Sequence, residues 1–303
     1  MTKRLSTKYK GSITVNYALC TVNYIDTHTH LDGEEFREDL DLVIQRCKDA
    51  GAVKLFIPAI NVSSIESVSR LCQQYSGYCY GMLGLHPEDV KADWQDQLAI
   101  IREALISHPA SASGSALGSV CCCTTAAVPV PVIAIGEIGL DFYWFREFEQ
   151  EQLLAFERQV EWAIELRLPL MIHCRKAQNE MVKILRKYEG KLSGGVFHCF
   201  TGNEHEAQEL LAFPGFCLGI GGVLTFKKSN LPQTLASTVP LERIVLETDS
   251  PYMAPVPHRG ERNDSSLIPY IIDKLAEVYS KTPEEIADIT TQNVKRTFPL
   301  AFS

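Results

Sequence analysis

The stretch Tyr24-Ile25-Asp26-Thr27-His28-Thr29-His30 opens as an apolar β-run and closes on two histidines one residue apart. Alternate residues of a strand face the same side, so a strand ending here aims both imidazoles at one place. Runs of this kind lie at residues 24–28, 54–59, 78–85, 132–137, 169–173, 194–198, 216–221 and 244–249. Most sit among Val, Ile, Leu, Phe and Gly without a polar face, as strands of a parallel sheet covered on both sides do. Helical stripes lie between them. Residues 147–166 place Leu153, Phe156, Val160, Ala163 and Ile164 on one face, with acids in the first turn. Thr282, Pro283 and Glu285 form a capping box at another helix start. Eight β-runs alternating with helices predict an α/β protein built as a single (β/α)₈ TIM barrel. An open doubly wound sheet is the second choice, and no G-x-G-x-x-G follows the first strand to support a dinucleotide fold.

The chemistry-bearing residues fall where those runs end. His28 and His30 close the first strand, Glu137 the fourth, His173 the fifth, His198 the sixth and Asp249 the eighth. Taken singly, each has an ordinary explanation: a buried histidine bonded to a carbonyl, or an acid capping a helix. Together they place imidazoles and carboxylates at the C-terminal ends of five strands, where barrels build active sites. Imidazole with carboxylate suits Zn²⁺, Mn²⁺ or, where water and acids dominate, Mg²⁺. The set is too large for one tetrahedral ion and sufficient for two, roughly 3.5–4 Å apart, with Glu137 bridging them. Such a pair lowers the pKa of a shared water and clamps a phosphoryl or acyl group. Asp249 would bind one ion and take the water's proton as general base. Arg175, two residues past His173, and Arg259, in the loop after the eighth strand, are candidate phosphate contacts. His86 ends the third strand as a candidate substrate contact or proton donor. His205 is expected to face solvent, His108 to end a helix, and Cys174 and Cys199 to pack outward against helices.

Length and composition agree with this reading. The chain has 303 residues, 22% charged and 46% hydrophobic, and roughly 250 suffice for one such barrel. The formal net charge of −8 argues against an extended DNA-gripping surface, though not against a metal enzyme that holds a few phosphates in a cleft. Ten cysteines without a C-x-x-C pair, three of them consecutive at Cys121, Cys122 and Cys123, read as reduced thiols of a cytoplasmic protein, with the nucleus as second choice. No apolar run approaches the ~20 residues that span a bilayer. Residues 1–22 read as a flexible extension, although Lys3, Arg4, Lys8 and Lys10 also fit a transit peptide. Residues 23–303 read as the barrel, interrupted at 110–131 by a Ser/Ala/Cys-rich insertion at the end of the barrel away from the chemistry.

The run Asp26-Thr27-His28-Thr29-His30-Leu31-Asp32 resembles the opening motif of the TatD-related deoxyribonucleases of the amidohydrolase superfamily. Gly84-Leu85-His86-Pro87, Gly136-Glu137-Ile138-Gly139-Leu140-Asp141, Ile172-His173-Cys174-Arg175, Phe197-His198-Cys199-Phe200-Thr201-Gly202 and Glu247-Thr248-Asp249-Ser250-Pro251 match its other motifs in order. Arg259-Gly260 with Asn263 is similar too, and the likeness spans about residues 22–299. It implies a monomeric, metal-dependent nuclease that takes DNA transiently into its cleft, often as a 3′ to 5′ exonuclease, with roles in repair or DNA fragmentation. It also implies His28, His30, Glu137, His173, His198 and Asp249 as metal ligands. Two departures are local: the insertion, and Asp264-Ser265-Ser266, where the family commonly follows the acid with proline.

Three other readings compete. Lactonases and phosphotriesterases of the same scaffold often bridge their metals with a modified lysine on the fourth strand, and residues 132–144 contain none. A D-aminoacyl-tRNA deacylase or another ester hydrolase would use the same ligands. A catalytically dead binding barrel would have lost one of them, and all are present.

Overall fold

Each of the eight runs pairs with the run before it, always in parallel, so the sheet order is the order of the chain. The computed structural model describes residues 22–107, 132–144 and 146–303. Its elements are β1 (Tyr24–Asp26), α1 (Leu40–Asp49), β2 (Ala52–Ala59), α2 (Ser64–Gln74), β3 (Cys79–Leu83) and α3 (Trp94–Ser107). They continue with β4 (Val132–Asp141), α4 (Glu149–Leu166), β5 (Leu170–Arg175), α5 (Gln178–Arg186), β6 (Gly195–Phe197) and α6 (Glu204–Leu211). The last are β7 (Phe216–Ile220), α7 (Leu231–Thr238), β8 (Ile244–Leu246), α8 (Ile268–Tyr279) and α9 (Pro283–Thr297). Backbone bonds join the first strand to the last: Thr27 N–H to the Leu246 carbonyl at 3.0 Å, Asp249 N–H to His28 at 2.9 Å and His30 N–H to Ser250 at 2.9 Å. With them the sheet closes into a TIM barrel.

Two apolar layers hold it. Ile25, Phe56, Met82, Ile133, Met171, Val196, Cys217 and Val245, at least one side chain from every strand, form a cluster that Val294, Phe298 and Ala301 complete from the C-terminal segment. A larger layer packs strands against helices. The expected stripe of α4 contributes Phe156, Val160 and Ala163, all buried, and Leu153 and Ile164 at its margins. The same helix buries two glutamines. Gln159 accepts from the Leu85 N–H at 2.7 Å, and Gln152 accepts from the Asp141 N–H at 2.9 Å. Each thereby satisfies a backbone donor where a strand gives way to its loop.

The strand limits differ from the expected ones. Glu137 does not close the fourth strand: β4 continues to Asp141, because its partner β5 extends to Arg175 and the two stay paired there. β1, β6 and β8 instead stop short of His28, His198 and Asp249. The capping box at Thr282 is present, with Glu285 N–H to Thr282 Oγ1 at 3.2 Å and Thr282 N–H to Glu285 Oε2 at 2.9 Å. The expectations for residues 1–21, for 110–131 with its three cysteines, and for His108 lie outside the described residues. Among those described, no helix is long and apolar enough to cross a membrane.

Candidate metal centre

Glu137 is the hub, and its position follows from the glycines around it. Gly139 has φ +152°, and a Cβ there would collide with the His173 carbonyl. Only glycine lets β4 lie this close to β5. The fully buried Glu137 side chain then splits its two oxygens. Oε2 faces His28 Nε2 at 3.1 Å and His30 Nε2 at 3.6 Å. Oε1 faces His198 Nε2 at 2.8 Å, His173 Nδ1 at 3.0 Å and His86 Nε2 at 3.2 Å. Asp249 joins the first side, with Oδ1 3.8 Å from His28 Nε2 and 3.7 Å from His30 Nε2. All of the predicted ligands, and His86 with them, therefore converge. Their donor atoms form three overlapping groups, each within 4.8 Å: His28 with Glu137 and His198, His28 with His30 and Asp249, and His86 with Glu137 and His173.

The nitrogen pairs carry the test of whether these residues fit a metal. His28 Nε2 and His30 Nε2 lie 3.2 Å apart, as do His173 Nδ1 and His198 Nε2. Two neutral imidazole nitrogens facing each other share at most one proton. Lone pairs and carboxylates crowded onto common points in a buried site need cations, and this mixture of N and O donors suits Mn²⁺ or Zn²⁺, or Mg²⁺ with added water. The residues fit.

The electrostatics agree. Burial pushes the Glu137 carboxyl up, but the imidazoles of His198, His86 and His28 outweigh it and hold the group well below the carboxylate range. Burial likewise raises Asp249, and His30, His198 and His28 bring it below its ordinary value. Burial with the charge of His198 lowers His28 to about 4. His30 and His173 move the other way: burial lowers both, but Asp249 and Glu137 in the first case, Asp141 and Glu137 in the second, raise each to about 9.

Behind these groups stand three acids to which the sequence reading gave no role. Asp26, fully buried, accepts from His28 N–H and Thr248 N–H at 3.1 Å through Oδ1, and from the Thr248 and Ser265 hydroxyls at 2.6 Å through Oδ2. Asp141 Oδ2 lies 3.1 Å from His173 Nε2. Glu247, also fully buried, accepts from the Cys199 N–H and approaches His198 Nδ1 at 3.8 Å, while burial holds its carboxyl up at about 8. Gly219 on β7 leaves the space that the Glu247 carboxylate fills. A signal for all three existed: Asp26, Asp141 and Glu247 share strand parity with His28, Glu137 and Asp249 respectively.

The remaining candidates sort plainly. Arg175 and Arg259 are both exposed and form no ion pair among the described residues; Arg175 stacks on Tyr143 at 4.3 Å and Arg259 on Phe226 at 4.3 Å. His86 Nδ1 accepts from the Glu88 N–H at 3.1 Å, which leaves the ring proton on Nε2, toward Glu137. His205 is exposed, as expected. Cys174 packs against the large apolar layer, also as expected. Cys199 does not face the helices: β6 has ended, its φ is +50°, and its sulfur meets Met253 Sδ at 3.8 Å in the loop after β8. The loop without its proline is well tied. Asp264 pairs with Arg46 at 2.5 Å and accepts from Ser266 N–H at 2.9 Å, and the Asn263 amide donates to the Thr248 and Tyr252 carbonyls at 3.0 and 2.7 Å.

Comparison with known proteins places this arrangement. The sequence profile described as TatD related DNase matches residues 25–299. The chain is 34% identical to a Bacillus subtilis protein named an uncharacterized metal-dependent hydrolase, YabD, over 90% of this chain and 98% of that one. It is 30% identical to a Pantoea vagans protein named 3′-5′ ssDNA/RNA exonuclease TatD, over 91% of this chain and 99% of that one. Among solved structures, the TatD homolog YJJV of Escherichia coli superposes with a TM-score of 0.79 at 27% identity, covering 93% of this chain and 99% of that one.

Proposed function

Because the chain belongs to the TatD-related DNase family and is a metal-dependent hydrolase, we propose that it hydrolyses DNA phosphodiester bonds, releasing nucleotides from the 3′ end. The observation that carries this reading is the division of the Glu137 carboxylate between two sets of imidazoles. In this reading His28, His30, Glu137, His173, His198 and Asp249 would hold two divalent ions.

Bound there, the ions supply positive charge for the phosphate oxygens and a lowered pKa for water. The chain's own groups do the rest. Asp249, whose side chain is 16% exposed at the mouth, stays ionised and accepts the proton of the attacking water. His86 Nε2–H steadies Glu137 Oε1 from the face toward the substrate. Arg175 and Arg259, without acidic partners among the described residues, meet the phosphates that flank the scissile one. The attacking oxygen's bond to phosphorus forms as the bond to the leaving nucleotide oxygen breaks.

The test is direct. Purified protein is incubated with 3′-labelled single-stranded and duplex DNA, and separately with a D-aminoacyl-tRNA, in Mg²⁺, Mn²⁺ or Zn²⁺, beside a His173→Ala/Asp249→Ala variant. Metal-dependent release of nucleotides, absent from the variant, is expected. DNA left intact in every metal while the tRNA is deacylated overturns the nuclease reading.

A further inference from the structure

Two large aromatic side chains stand in water beside the metal centre. Tyr143 is 51% exposed and Trp144 57%. They are adjacent in the loop after β4, with ring centroids 4.7 Å apart in an edge-to-face arrangement. The Arg175 guanidinium lies 4.3 Å from the Tyr143 centroid and 5.1 Å from that of Trp144. The loop is well anchored. Asp141 Oδ1 accepts the backbone N–H of Tyr143 at 2.8 Å and of Trp144 at 3.0 Å. The other oxygen of the same carboxylate meets His173, and the buried Gln152 holds the Asp141 backbone. One acid thus orients a candidate metal ligand and fixes the turn that presents the rings.

We propose that Tyr143, Trp144 and Arg175 form a stacking platform for the unpaired bases of a single nucleic-acid strand whose 3′ end enters the metal centre. The proposal rests on the nuclease reading and assigns the side chains of this chain that would hold the unpaired bases. Every base has a π-face, so stacking on aromatic rings tolerates any sequence, and an arginine among the rings supplies the positive charge that a backbone needs. Few other groups answer both an exposed aromatic pair and a guanidinium, two residues from His173, that forms no ion pair among the described residues. In a duplex, base faces are already covered by neighbouring pairs. The platform can engage them only after the end has frayed, so single-stranded ends are preferred.

The experiment compares full-length protein with a Tyr143→Ala/Trp144→Ala variant, and with Tyr143→Phe/Trp144→Phe as the conservative control. Two single-stranded oligonucleotides of equal length are used, one ordinary and one with tetrahydrofuran abasic residues at its last three 3′ positions. The quantity read is the ratio of kcat/KM on the ordinary strand to that on the abasic strand. Base stacking predicts a ratio between about five and a hundred for the unaltered protein, close to one for the alanine variant, and mostly restored by phenylalanine. A ratio near one in the unaltered protein, or the same raised ratio in the alanine variant, overturns the platform and leaves the rings to a protein partner. Equal slowing on both strands overturns it too, by assigning the pair to the packing of the site. If the unaltered protein degrades neither strand in any metal, the nuclease reading itself has failed, and the platform falls with it.

Discussion

The two sides of the candidate metal centre are built by different means. On one side β4 and β5, of ten and six residues, stay paired to Asp141 and Arg175. His173 therefore rides on a paired ladder, Glu137 sits at the register shift between Ile135 and Ile138, and the buried Asp141 lies at the ladder's end. On the other side β1 and β8 are only three residues each and stop before His28 and Asp249. Beyond them the chain is held by a few backbone bonds and by side chains as well: Asp26 collects four donors from residues 28, 248 and 265. The lesson is that an acid behind a metal ligand can serve stability or chemistry, depending on whether the backbone beside it is otherwise supported. Asp26 reinforces a short ladder, whereas Asp141 positions a candidate ligand that a longer ladder already carries.

The largest effect expected is at Asp249, which belongs to the weakly laddered side yet, among the described residues, bonds through its carboxylate only to the site's histidines. Asp249→Asn should lower kcat about a thousandfold or more with the fold intact. Circular dichroism beside steady-state kinetics checks it. An unfolded Asp249→Asn would make the residue structural and remove the proposed general base.

Next is Asp26→Ala. It strands four buried donors at once, and the loss in unfolding free energy should reach about 3–5 kcal/mol. Urea denaturation with an unchanged m-value measures it. Asp141→Asn, on the laddered side, should cost less than about 1 kcal/mol of stability while weakening metal affinity about 10–100-fold through a loosened His173. Calorimetric titration with Mn²⁺ separates the two quantities. If Asp26→Ala keeps its stability, or Asp141→Asn loses as much as Asp26→Ala does, the contrast between the two sides is wrong.

This contrast also marks what the sequence could show. The eight strands, their parallel order and the gathering of His28, His30, Glu137, His173, His198 and Asp249 were legible because each signal is local: an apolar run, then a donor at its end. The ends of the strands were not, because a ladder stops where its partner stops, and the partner of β4 lies on residues 170–175. Asp26, Asp141 and Glu247 were read as letters of motifs without tasks for the same reason: their partners at 248, 173 and 199 are remote in the chain. The sequence offers Arg175 and Arg259 as phosphate contacts, and the structure adds an aromatic neighbour to each, a contact with no spacing rule in sequence.

The smallest effect sharpens the comparison most. Ser265 stands where the family commonly has proline, and its hydroxyl is one of the four donors on Asp26 Oδ1 and Oδ2. Ser265→Ala removes that donor and leaves three, so stability should fall by about 1 kcal/mol. Ser265 is also the first residue of a short 3₁₀ turn, Ser265–Leu267, capped by Asp264. The first position of a helical turn accepts proline readily, since the fixed φ matches and its N–H has no partner within the turn. Ser265→Pro should therefore lose the same hydrogen bond but regain about 0.4–1 kcal/mol by restricting the unfolded chain. Thermal denaturation of the two variants side by side should place the proline variant above the alanine one and near the unaltered protein. The reverse order would mean that the loop, and not the hydroxyl on Asp26, decides how the short strands are held.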